Sequence, residues 1–132
     1  MAIIRNFDGI NDDAEVEAAC DILTSASHGE SLRAGWWSND DGDMRNVPTK
    51  LCLIHSEISE AMEGHRKDAM DDKLPHRAQI EVELADAVIR IFDLAGYLKL
   101  DIGGAVAEKM AYNRTRADHK TEARARSGGK RY

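Results

Sequence analysis

Four acidic residues stand in two similar frames, Glu57-Ile58-Ser59-Glu60 and Glu83-Leu84-Ala85-Asp86. Residues three apart are neighbours on a helix surface, so each frame sets two carboxylates side by side. If the two segments pack as antiparallel helices, all four carboxylates meet. Like charges in one enclosed place are unfavourable unless protons bind or cations balance them. Ligand sets made only of oxygen select hard cations, Mg²⁺ or Mn²⁺. Mg²⁺ keeps positions open for phosphate and water, polarises a phosphoryl group and lowers the pKa of an attacking water. The plainer alternative is a pair of solvated acidic faces in an acid-rich chain. In favour of a site, each frame lies on a strip flanked by apolar residues, and the two frames fall on consecutive amphipathic segments.

The pattern predicts an all-α fold resembling a four-helix bundle. Its helices cover about 12–26, 48–69, 75–98 and 102–117, with Asn11 or Asp12 and then Asp101 as N-caps, and Pro48 and Pro75 in first helical turns. Ile3, Ile4 and Phe7 suggest a short extended lead-in. A short turn at Asp71–Leu74 makes the second and third helices antiparallel neighbours. On the second helix Leu51, Ile54, Ile58, Ala61 and Met62 form a stripe expected to face the core, with Leu53, Glu57, Glu60 and Gly64 beside it. The third is apolar on two sides: Ile80, Leu84, Ala87, Ile91, Ala95 and Leu98 on one, and Val82, Ile89 and Phe92 towards the other. A polar strip of Glu83, Asp86, Arg90 and Asp93 runs between them. Such a helix is a central one, covered by other helices or by a second subunit, so a homodimer or homotetramer is expected. The fourth helix starts apolar and continues on the same face as Lys109, Asn113 and Arg116, as though its end lines a site. Between the first two helices a long polar loop, about His28 to Asn46, carries Trp36 and Trp37, and long loops in small domains are often functional.

With 132 residues the chain is one domain's worth, read as a helical domain over 1–117 and a basic polar tail over 118–132. No apolar run approaches membrane-span length, and the N-terminal apolar stretch is too short for a signal peptide. Twenty-four acidic residues against 18 basic ones argue against nucleic acid as a specific partner. Cys20 and Cys52 lack metal or redox spacing and are expected to be buried reduced thiols, which fits a cytoplasmic protein.

Glu57-x-x-Glu60, a spacer and Glu83-x-x-Asp86 resemble the EExxE–spacer–ExxD hallmark of the MazG-like, all-α nucleoside triphosphate pyrophosphohydrolases. Lys109-Met110-Ala111-Tyr112-Asn113-Arg114-Thr115-Arg116 is similar to that family's basic stretch after the ExxD helix. The resemblance covers about Pro48 to Arg116, and Ser56 stands where the family often has its first Glu. It implies a Mg²⁺-dependent (Mn²⁺ also possible) cleavage of a (d)NTP to (d)NMP and pyrophosphate, a nucleotide house-cleaning activity. Glu57, Glu60, Glu83 and Asp86 would hold the metal, and one of them would orient the water. Lys109, Asn113 and Arg116 would meet phosphate or sugar oxygens, or else form an ordinary basic helix end. Trp36 and Trp37 would stack on or wall the base, or anchor their loop. Asp93 would bind ribose or pair with Arg90. The competing class is a non-catalytic helical dimeric regulator, which would bind no Mg²⁺ at the acidic strip.

Overall fold

A computed structural model describes residues 12–37, 46–116, 118 and 120–130. The suggested extended lead-in, the centre of the Trp loop and the final two tail residues lie outside them. The described residues form five helices and no strand: α1 (Asp13–Arg33), α2 (Asn46–Lys67), α3 (Gln79–Leu98), α4 (Ile102–Thr115) and α5 (Thr121–Ala125).

Asp12 starts α1 with a reciprocal cap. Its Oδ1 accepts from the Glu15 N–H at 2.8 Å, and the Glu15 carboxylate accepts from the Asp12 N–H at 3.3 Å. This is the capping box of helix N-termini. The helix runs seven residues past the expected end at Ala26, because nothing in Ser27–Arg33 stops it. The stop is Gly35, at φ 79°. Its N–H bonds to the Leu32 carbonyl, and that of Trp36 bonds back to Ser31, the Schellman pattern that favours glycine at the left-handed position. α2 and α3 close with the same pair of bonds, using Asp68 and Lys99 there. Pro75 does not open α3. It sits in a turn closed by Arg77 N–H to Leu74 C=O at 2.9 Å, a position its fixed φ suits. Asp71, buried, holds the same connection by accepting from the Lys73 and Leu74 N–H groups at 3.0 and 2.6 Å.

The chain divides into two compact units, one from Asp21 to Asp101 and the other drawn from the residues up to Cys20 and from Ile102 onward. In the first, α2 and α3 pack antiparallel, with Gly64 against Gln79 at one end and Glu57 against Arg90 further along. Of the expected apolar stripes only the small residues, Ala61 on α2 and Ala87 and Ala95 on α3, are buried. Glu57, Ala61 and Gly64 on α2, and Glu83, Ala87, Leu94 and Ala95 on α3, are buried, while Leu51, Ile58, Met62, Leu84, Val88 and Ile91 are exposed. The small side chains let the helices approach closely, so the larger apolar groups lie outside the contact. A Cβ on Gly64 would stand 2.9 Å from that of Gln79, and one on Gly96 would stand 2.6 Å from that of His28 on α1. Cys20 is buried as expected, but Cys52 is exposed, since it lies off the face that α2 turns to α3. In the second unit Arg114 on α4 pairs with Asp13 at 3.0 Å.

Candidate metal centre

Antiparallel pairing of α2 and α3 gathers Glu57, Glu60 and Glu83, each offering one carboxylate oxygen within 4.8 Å of the others. Glu57 and Glu83 are buried and Glu60 is exposed. Asp86, the fourth residue expected here, is exposed and stands outside the triad, yet close enough for the Glu57 charge to act on it. Burial, followed by the charges of Glu60 and Glu57, pushes the Glu83 carboxyl above its usual range, against the opposing hydrogen bond donated by Gln79 at 3.3 Å. Partial desolvation and then Glu57 push Asp86 up, with Arg90 opposing. Ser56, at the place of the family's first Glu, turns its hydroxyl back onto the Leu53 carbonyl at 2.7 Å.

One cation already sits in the cluster. Arg90 Nε donates to Glu57 Oε1 at 2.6 Å. A single guanidinium against three carboxylates leaves negative charge uncompensated, and the donor set is all oxygen, which fits a hard divalent cation.

Beside the cluster opens a cavity of about 450 Å³, walled by Trp36, Trp37, Lys50, Asp86, Arg90 and Asp93 among others. Asp86 and Arg90 thus face both the cluster and the cavity. Trp37 is buried and firmly held. Its ring stacks on Tyr97 at 3.9 Å, Lys50 Nζ lies 4.4 Å above it, and its Nε1–H donates to Asp93 Oδ1 at 2.9 Å. Trp36 has no such mooring among the described residues and is 72% exposed. Asp93 does not pair with Arg90, which Glu57 takes instead. It accepts from Trp37, from His28 Nδ1 at 2.8 Å and from Ser31 Oγ at 2.7 Å. Its carboxylate therefore ties the end of α1 and Trp37 to α3.

Lys109, Asn113 and Arg116 lie in the other unit. Lys109 is exposed and stands 4.7 Å over the Tyr112 ring. Asn113 Oδ1 is buried without a hydrogen bond among the described residues. Arg116 grips Asp118 through two nitrogens at 3.0 and 2.6 Å, and Lys130 adds a third contact. Together, Arg116 first, they hold the Asp118 carboxyl well below the usual range.

Sequence reasoning passed over Lys50, and over His28 and Ser31, which it assigned to a loop. The available signal was Gly35, whose place before Trp36-Trp37 marks a helix C-terminus and puts His28 and Ser31 on one helical face three residues apart. Comparison with protein-family models, with curated proteins and with solved structures finds no match to this chain. No described helix is long and apolar enough to cross a membrane.

Proposed function

We propose that this protein is a Mg²⁺-dependent nucleoside triphosphate pyrophosphohydrolase that converts a (d)NTP to the (d)NMP and pyrophosphate, with Mn²⁺ able to substitute. The observation that carries the reading is the convergence of Glu57, Glu60 and Glu83 beside an aromatic-walled cavity that shares Asp86 and Arg90 with them. Its volume lies in the range of small-molecule sites. The resemblance of the two carboxylate frames to the MazG-like pattern supplies the reaction.

In this reading Glu57, Glu60, Glu83 and Asp86 hold the cation, which when bound supplies charge stabilisation on the phosphates and a more acidic water. One carboxylate would orient an attacking water and take its proton as the water oxygen adds to the α-phosphorus and the α–β anhydride P–O bond breaks. Pyrophosphate leaves with the bridging oxygen. Trp37 provides a fixed wall for the base, and Trp36 an exposed ring on which it stacks. The phosphate- and sugar-contact roles of Lys109, Asn113 and Arg116 rest on the resemblance alone. The reading includes self-association of the chain as a homodimer or homotetramer.

The test is a screen of common and damaged NTPs and dNTPs with Mg²⁺, scored by pyrophosphate release. Release from at least one nucleotide, abolished by chelator and by Glu60→Gln, is the expected result. A purified, folded protein that releases pyrophosphate from none of them, and binds no Mg²⁺ or Mn²⁺, is instead the non-catalytic helical regulator.

A further inference from the structure

Arg90 occupies the junction of two features. Its Nε is bonded to Glu57 Oε1 at 2.6 Å, and its side chain lines the cavity. The two partners are unequally held. The Glu57 side chain is 9% exposed, whereas that of Arg90 is 43% exposed. The carboxylate is fixed in the helix interface, and the guanidinium has room to turn on its long stem. The bond uses Nε, not the terminal amino groups.

Resting on the metal-centre reading above, we propose that Arg90 is an exchange cation: it neutralises Glu57 in the metal-free protein, yields that carboxylate to a divalent cation, and swings into the adjoining cavity to bind the anionic chain of the ligand. Three physical steps lead there. A guanidinium and a divalent cation compete for the same carboxylate oxygen, and the divalent ion has the higher charge. Once it is bound, the guanidinium beside it feels like-charge repulsion and loses its acceptor. A freed Arg carries five donors in a rigid fork suited to phosphate oxygens, and it is the one arginine among the described residues that wall the cavity. Arg90 thereby links the two binding events. Each makes the other more favourable, as coupling between sites must be reciprocal.

The experiment measures Mn²⁺ binding, without nucleotide, to the wild-type chain, Arg90→Gln and Arg90→Lys, and then tripolyphosphate binding to each Mn²⁺-loaded protein. Removing the competitor in Arg90→Gln tightens Mn²⁺ about threefold to tenfold, the scale of a partly exposed ion pair, and weakens tripolyphosphate by a similar factor. Arg90→Lys keeps a charge without the fork, so its Mn²⁺ affinity lies between those of the other two while tripolyphosphate still weakens. Unchanged or weaker Mn²⁺ binding by Arg90→Gln with a native near-ultraviolet spectrum overturns the exchange and leaves Arg90 a structural pair. Should Arg90→Gln lose that spectrum, Arg90→Lys decides: Mn²⁺ binding no tighter than wild type overturns the proposal. Absence of Mn²⁺ binding to the wild-type chain overturns the metal-centre reading itself, and the exchange with it.

Discussion

Burial and two adjacent carboxylates set Glu83 against its own ionisation, and that conflict has a measurable sign. A carboxyl whose pKa is raised on folding binds its proton more readily folded than unfolded. Its contribution to stability is therefore complete below the unfolded value of 4.5 and is lost as pH rises through the folded one. Metal-free Glu83→Gln removes this penalty. It should be more stable than wild type by about 0.5–2 kcal/mol at neutral pH, with the advantage shrinking as pH falls towards 4.5. Thermal melts across that range check it, and an advantage that does not change with pH would count against a charged cluster. Mg²⁺ should raise the wild-type Tm and leave that of Glu83→Gln nearly unmoved. Asp93 makes the opposite case, a carboxylate satisfied by His28, Ser31 and Trp37. Asp93→Ala strands three donors and should cost about 2–4 kcal/mol, with a shift in Trp37 emission. The two acids share one polar strip, and spacing alone does not separate them. The partners of Asp93 come from α1 and the residues just after it, 56 to 65 positions away in sequence.

At the scale of elements, the positions of α2, α3 and α4 were legible from their periodicity, although Pro75 stands in the turn before α3, while of the faces they bury only the small residues were. Hydrophobic periodicity marks Leu51, Ile58 and Met62 as inward, but helix packing is also decided by how closely two backbones can approach. Ala61, Gly64, Ala87 and Ala95 permit the closer contact. The same logic holds α1 to α3 at Gly96. Gly96→Ala gains about 1 kcal/mol of helix propensity, yet its methyl would stand 2.6 Å from His28 Cβ, and overpacking of that kind costs about 1–3 kcal/mol. A net loss of stability is expected, with disturbed Trp37 fluorescence because His28 and Trp37 share Asp93. The Trp pair also separates by element. Trp37→Ala removes a buried, stacked ring and should destabilise by about 3–5 kcal/mol. Trp36→Ala should leave the melting curve nearly unchanged and alter the ranking of nucleotides by base. Lys109→Ala, if it meets phosphate, should instead lower kcat/KM for every nucleotide alike. A uniform loss from Trp36→Ala would remove that ring from base recognition.

For the whole molecule, the question is what covers the apolar groups that α2 and α3 leave outside their contact. Ile58 and Met62 on α2 are 48% and 61% exposed, and Leu84, Val88 and Ile91 on α3 are exposed at 40% or more. No described large side chain is fully buried. Residues spaced by four and three form continuous stripes on a helix, so these are not scattered single contacts of the kind any surface tolerates. Contiguous apolar surface of this sort marks an association site, and a second copy of the chain is self-complementary to it when the two stripes pair about a two-fold axis. A net charge of −6 opposes unspecific clustering, which favours a closed dimer or tetramer over open aggregation. Light scattering at micromolar concentration should give at least twice the 14.6 kDa chain mass. Ile58→Glu together with Met62→Glu places two carboxylates in the stripe without touching the buried Glu57–Ala61–Gly64 face. The double variant should therefore dissociate while each chain keeps its helical spectrum. Because α2 and α3 bury little else, the dissociated chain should also melt at lower temperature, and the wild-type Tm should rise with protein concentration, as linkage to association demands. A wild-type protein that scatters as a monomer with a concentration-independent Tm would show that the stripes are covered from within the chain.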